Sequence, residues 1–362
     1  FKVTTNMKLL KNCKTIIVAV PTPINKSKKP NLKLLKKACI DIGKNISRDT
    51  LVVFESTVYP GCTEEFCMPL ISKLSRLKIN KDIFFGYSPE RINPGDKKHS
   101  LLKINKLVSG SNKQTTSRIK NLYEEILRNK VFVTDTIKIA EAAKIIENTQ
   151  RDINIALINE FAMILNKLKI DTKKVIRAAS TKWNFHPFHA GLVGGHCVGV
   201  DPYYLTYKSK KVGINPKVIL SGRIINDKMG KYVFSQIKKI SSKKKIKIKK
   251  SKVLILGFAF KENCEDIRNT KVIDIVNSFK IYNSKIDIYD PLVEKSLIYK
   301  MYNLRLINNL NKKKYYDIII NAVPHKEIRK LKFKNIRSCG KKNSIFYDVK
   351  SIYPSNLTDG RL

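Results

Sequence analysis

The segment AEAAKIIENTQRDINIALINEFAMILNKL, running from Ala140, does most to restrict how this chain can fold. Its apolar residues recur at helical spacing and no Pro or Gly interrupts them, so one helix of about 30 residues is expected. On either side the pattern changes to short apolar runs that end in turn residues. Upstream stand LVVFESTVYPG (51–61) and DIFFGYSPERINPGD (82–96); downstream VLILGFAF, a buried-strand run, precedes KENCEDIRNT, read as helical, then KIDIYDP, YYDIIINAVP and SIFYDVKS. Such alternation argues for α/β architecture with doubly wound sheets flanking the central helix. The expected divisions are 1–135, 136–240 and 241–362, with boundaries near Thr134–Ile137 and at the lysine-rich run Ile240–Lys250. No solenoid repeat is visible.

Chemistry concentrates in GLVGGHCVGVDPYYL (191–205), where Cys197 sits among glycines and Asp201 follows four residues later. Gly191, Gly194 and Gly195 allow the backbone to approach a ligand closely. The functional reading is a nucleophilic thiol; the plain alternative is an inert cysteine on a glycine-rich turn, and a single cysteine does not separate the two. A nucleophile needs groups that bind its target, stabilise negative charge and move protons. Lys144 and Asn148 supply an ammonium and an amide one helical turn apart. Glu55, Ser56 and Thr57 end one strand, and Glu90 and Arg91 stand just beyond another, at carboxyl ends where ligands gather in open α/β sheets. Gly257 stands alone, without G-x-G-x-x-G spacing, so the last third does not read as a dinucleotide site on its own.

Taken in order, VPTP (20–23), ESTVYPG, GYSPERINPGD, AEAAKIIENT, TKWNF, GLVGGHCVGVDPYYL and GFAFKENCEDIRNT resemble the motifs of the UDP-glucose/GDP-mannose dehydrogenase family over essentially the whole chain. SPERINPGD, TKWNF and GGHCVGVDPYYL are most similar to the branch that oxidises UDP-N-acetylhexosamines in Vi-type and O-antigen polysaccharide synthesis. The resemblance implies two Rossmann-like domains, NAD as cofactor, and oxidation of a sugar C6 alcohol to a carboxylate by two successive hydride transfers. It implies that Cys197 traps the aldehyde as a thiohemiacetal, which becomes a thioester and is hydrolysed. Lys144 and Asn148 would hold the C6 oxygen, Asp201 would orient water and share protons with Lys144, Glu90 would activate water and Thr57 would help position it. A thiolate near Lys144 is also easier to form.

On the cofactor side the resemblance points to Val20, Pro21, Thr22, Glu55, Ser56, Thr57 and Arg268. For the UDP-sugar it points to Glu90, Arg91, Lys144, Asn148, Gly194, Arg223, Phe260 and Lys261, with a homodimer through the central helix. Within the family His196 looks like a loop residue that varies, and Glu265 stands where Pro is frequent. The departure is at the start. The chain opens at FKVTTNMKLLKNCKTIIVAV and contains no G-x-G-x-x-G turn to hold an NAD pyrophosphate, which by the family's layout leaves about 60 to 70 residues, roughly two βαβ units, unaccounted for. A catalytically dead remnant that keeps UDP-sugar binding or dimerisation is therefore the second reading.

Net charge raises a third. Lys and Arg number 72 against 29 Asp and Glu, a formal +43, as in many nucleic-acid binders. The lysines are spread through every segment, however, and no zinc-ligand pair, RNP-like strand or KH-type loop accompanies them, so nucleic acid is not the expected partner. The seven cysteines, at 13, 39, 62, 67, 197, 264 and 339, are odd in number and irregularly spaced, and the five histidines form no ligand set. No metal site is expected, and a reducing cytoplasm suits such a chain. No apolar stretch approaches a membrane span.

Overall fold

The structure, a computed structural model, describes residues 2–92, 100–127, 130–310 and 313–362. Asn93 to Asp96 of SPERINPGD lie outside them. The chain divides into two units, Phe1–Thr149 with Val200–Pro216, and Gln150–Gly199 with Lys217–Leu362.

In the first unit β1 (Thr15–Val18), α1 (Lys33–Asn45), β2 (Thr50–Phe54), α2 (Met68–Ser75) and β3 (Ile83–Tyr87) alternate. β1, β2 and β3 pair in parallel, Thr15 against Leu51 and Leu51 against Phe84. All five residues of β2 are buried, as a central strand covered on both faces requires. Complete burial of Val52, Val53 and Phe54 contributes about 1.5–3 kcal/mol each before chain entropy is counted. Helix α1 presents Leu35, Cys39 and Ile42 to that core at helical spacing. β4 (Lys106–Gly110) then runs antiparallel to β3, with Gly86 opposite Gly110, and after α3 (Lys113–Leu127) comes β5 (Val131–Val133), parallel to β4. The sheet order is β1-β2-β3-β4-β5, and the antiparallel pairing of β3 with β4 makes this sheet mixed. The parallel strands bring the turns after β1, β2 and β3 to one end of the sheet.

Helix α4 spans Ile137–Lys167, 31 residues as the periodicity predicts; its residues up to Thr149 belong to the first unit and the rest to the second. α5 (Thr172–Ala179) is capped by Asp171, whose carboxylate accepts from the Lys174 amide. α6 (Asp201–Lys211) belongs to the first unit and α7 (Lys217–Lys243) to the second.

The second sheet is built from β6 (Lys252–Leu256), α8 (Val272–Lys280), β7 (Lys285–Tyr289), α9 (Lys295–Tyr302), β8 (Tyr316–Asn321), α10 (Lys326–Lys330), α11 (Phe333–Ser338), β9 (Gly340–Asp348) and β10 (Gly360–Arg361). All its pairings are parallel, in the order β10-β9-β8-β6-β7. The strand order therefore reverses between β6 and β8, the place where doubly wound sheets open a crevice. Gly257, at φ +82°, leaves β6 there; a Cβ on it would lie 2.1 Å from the Val323 carbonyl oxygen. The stretch KENCEDIRNT is not helical. Asn263 and Asn269 adopt φ of 57° and 54°, left-handed conformations that asparagine tolerates and a helix cannot contain, and α8 starts only at Val272.

Candidate active site

Lys144, Asn148 and Asp201 belong to the first unit; Cys197, Gly194, Phe260 and Lys261 belong to the second. In the first, Lys144 and Asn148 share the buried side of α4 at 6% and 5% exposure and so do not lie on a solvated face. The Asn148 amide donates to Asp201 Oδ2 at 2.6 Å. Asp201 opens α6 and is itself buried. Burial raises its pKa to about 6, against the lowering effect of the Lys144 ammonium and the Asn148 hydrogen bond. A carboxyl group near neutrality can both take and give a proton.

Three residues before Lys144, Glu141 accepts from the amides of Gly61 and Thr63 at 2.5 and 2.9 Å. Burial pushes it up to about 7. It thereby ties the segment following Thr57 to the helix that carries Lys144. Sequence reasoning missed Glu141, although its i, i+3 relation to Lys144 was readable.

The turns after β1 and β2 are latched to one another. Ser56 Oγ donates to the carbonyls of Val18 and Val20, Thr22 Oγ1 donates to the Thr57 carbonyl at 2.6 Å, and the Tyr204 hydroxyl of α6 donates to the Thr22 carbonyl. Glu55, expected on the cofactor side, has a carboxylate that accepts from the Tyr123 hydroxyl at 2.5 Å and pairs with the buried Lys106 ammonium at 2.8 Å. Glu90 is exposed and accepts from the Ile92 amide, while Arg91 pairs with Glu147 of α4 and donates to the Asn105 carbonyl.

In the second unit the turn before Cys197 packs against the loop after β6. Gly194 and Gly195 have no room for a side chain: a Cβ would fall 2.6 Å from the Asn269 carbonyl oxygen at one and 2.7 Å from the Phe260 ring at the other. Asn159 of α4 holds Gly191 at both its amide and its carbonyl, and it also donates to Asn226, which donates to Asp152. Arg223, expected near a sugar nucleotide, is 2% exposed and engages Asp152 and Asp227 at 2.6 Å each. Arg268, expected to reach NAD, forms a forked pair with Asp266 two residues away. Lys261 places its ammonium over the Phe260 ring at 5.6 Å. Cys197 is half-buried in the turn before α6.

Two further features depend on distant partners and were not readable. Lys350, beyond β9, brings its Nζ to 2.6 Å from where a Cβ on Gly191 would be, and burial holds it below the ordinary lysine pKa. Asp290, after β7, accepts from the amides of Phe258 and Ala259 and from buried His325, whose Nδ1 receives the Asn263 amide. These bonds fix the loop carrying Phe260 and Lys261. Among the described residues no group of three or more His, Cys, Asp or Glu could hold a metal, and no helix is long and apolar enough to cross a membrane.

The chain is 50% identical over its full length to a UDP-N-acetyl-D-glucosamine 6-dehydrogenase of Salmonella typhi, covering 85% of that protein. It is 48% identical to one of Pseudomonas aeruginosa, over 99% of this chain and 85% of that one. A structure of a UDP-D-ManNAc dehydrogenase from Pyrococcus horikoshii superposes with a TM-score of 0.87 at 27% identity, covering 98% of this chain and 81% of that one. Residues 1–127, 138–228 and 254–355 match the NAD-binding, central and UDP-binding domains of a single family. With chemistry-bearing side chains from all three regions and relatives this similar along its whole length, the chain belongs to the UDP-glucose/GDP-mannose dehydrogenase family.

Proposed function

We propose that this protein oxidises the C6 alcohol of a UDP-N-acetylhexosamine, UDP-N-acetylglucosamine foremost, to the uronic acid, with Cys197 as nucleophile. The observation that carries this reading is the buried set Lys144, Asn148 and Asp201, a cation, an amide donor and a carboxyl group near neutrality. The identity to the Salmonella typhi and Pseudomonas aeruginosa enzymes supports the choice of sugar.

The turns after β1 and β2 fit the nicotinamide end of a dinucleotide. AVPTP and ESTVYPG hold no Lys or Arg, and Glu55, their one charge, is neutralised inside the unit. Val20, Pro21, Thr22, Ser56 and Thr57 would hold that end, and NAD would supply the hydride acceptor for each of two oxidations. Lys144 and Asn148 bind the C6 oxygen and stabilise its negative charge. Asp201 exchanges protons with it. Cys197 adds to the aldehyde as a thiohemiacetal, so that the reactive carbonyl is not lost between the two oxidations; the second oxidation makes this a thioester, and water deprotonated by Glu90 hydrolyses it to the carboxylate and the free thiol. Phe260 and Lys261, on the loop after β6, hold the UDP-sugar, with Gly194 letting the backbone approach.

The test is NADH absorbance with UDP-N-acetylglucosamine, UDP-N-acetylgalactosamine and UDP-glucose, beside Cys197→Ala. Two NADH per UDP-N-acetylhexosamine, lost in the variant, is the expected result. A folded protein that binds UDP but turns over none of these sugars would favour the remnant reading.

A further inference from the structure

His196, next to the nucleophile, is not used by the mechanism above, yet it has a specific partner. Its Nε2 lies 3.2 Å from Asp266 Oδ2, seventy residues away in the loop after β6. With a carboxylate as acceptor, Nε2 carries the proton and donates. The next residue back makes a second link. The Gly195 amide donates to the Asn269 carbonyl at 3.4 Å, and the Asn269 amide group donates to the Gly195 carbonyl at 3.3 Å. Between these two links the Phe260 ring fills the space against Gly195, which needs its φ of +84° and its lack of a Cβ to lie there. Asp266 is held from the other side by the Arg268 fork and by its own carbonyl, which accepts from the Phe260 amide. The far end of this loop is fixed by the buried Asp290–His325 pair.

We infer that His196 is a positioning residue: through Asp266 it fastens the Cys197 turn to the Phe260–Lys261 loop, so that the nucleophile and the nucleotide-holding loop form one rigid piece. The inference rests on the reading of Cys197 as nucleophile. The backbone bonds at Gly195 and the ring beneath it set where the turn lies. The His196 side chain adds a hydrogen bond to the loop after β6, and it stops the turn from peeling away at the residue before the thiol. A neutral imidazole suffices for this, and burial together with the nearby Arg268 guanidinium lowers the ring's pKa, against the pull of Asp266.

The test compares wild type, His196→Ala and His196→Gln, since the glutamine amide can place a donor where Nε2 stands. Alkylation of Cys197 by iodoacetamide is followed by peptide mass spectrometry, with buried Cys339 as the gauge of general opening. The expected result is alkylation of Cys197 about tenfold faster in His196→Ala at an unchanged Cys339 rate, with kcat lowered roughly ten- to a hundredfold and KM for the UDP-sugar kept within about twofold. His196→Gln restores both. If His196→Ala does not fold, His196→Asn, too short to reach Asp266, takes its place. A wild-type Cys197 rate in the Ala or Asn variant, or equal losses in Ala and Gln, overturns the inference. The alkylation readout needs neither sugar nor NAD, so an inactive wild type would count against the proposed function and leave this measurement decisive for His196.

Discussion

At the residue scale, the acid–base chemistry proposed for the first unit would depend on a carboxyl group that the fold makes hard to ionise. Burial raises Asp201 from 3.8 to about 6, with Lys144 and Asn148 limiting the rise. Because the folded chain holds this proton more tightly than the unfolded one, stability attributable to Asp201 is present below 3.8 and is lost as pH climbs from there through about 6; a shift of that size corresponds to at most about 3 kcal/mol. Asp201→Asn is therefore expected to raise the melting temperature at pH 8, by the equivalent of about 1–3 kcal/mol, and to leave it nearly unchanged at pH 4. Turnover in the same variant should fall by about a hundredfold or more. Melting curves at the two pH values decide this, and a variant less stable than wild type at pH 8 contradicts it. That Lys144 and Asn148 share one face of α4 was readable because helical spacing does not depend on tertiary partners. The partners of Glu55 and Arg268 were not readable for the opposite reason: Lys106 with Tyr123, and Asp266, meet those side chains only in the folded chain.

At the element scale, the carboxyl end of β6 tolerates almost no change. Gly257 and Gly213 share a left-handed backbone, φ +82° and +80°, but a Cβ at Gly257 meets the Val323 carbonyl oxygen at 2.1 Å whereas one at Gly213 meets nothing within 4 Å. Gly213→Ala should cost about 1 kcal/mol, the backbone strain alone. Gly257→Ala adds an overlap with backbone that cannot step aside without parting β6 from β8, and is expected to cost at least about 3 kcal/mol. Urea unfolding of both variants separates the two contributions, and equal losses would rule out the overlap. The same contrast explains which elements were readable. The 31-residue α4 declares itself by uninterrupted periodicity. KENCEDIRNT does not declare its shape, because nothing local reveals that Asn263 and Asn269 will take left-handed conformations, stabilised as they are by His325, Lys326 and Gly195. Nor could the direction of β4 be read, since an apolar run carries its alternation and not its orientation.

At the scale of the whole molecule, the charge of +43 acts in two opposed ways. It draws in a doubly negative UDP-sugar from beyond contact distance, and it makes the folded chain repel itself. Both effects work through solvent and weaken as the Debye length shrinks from about 10 Å at 0.1 M salt to about 3 Å at 1 M. Short buried interactions such as Arg223 with Asp152, at 2.6 Å and 3% and 0% side-chain exposure, are screened far less. Raising sodium chloride from about 0.05 to 0.5 M should therefore lower kcat/KM for the UDP-sugar roughly three- to tenfold, almost entirely through KM, while the melting temperature rises. Steady-state kinetics and thermal melts over one salt series test both arms together. A KM that does not respond, beside a melting temperature that climbs, would mean that the spread-out lysines burden the fold without helping to capture substrate.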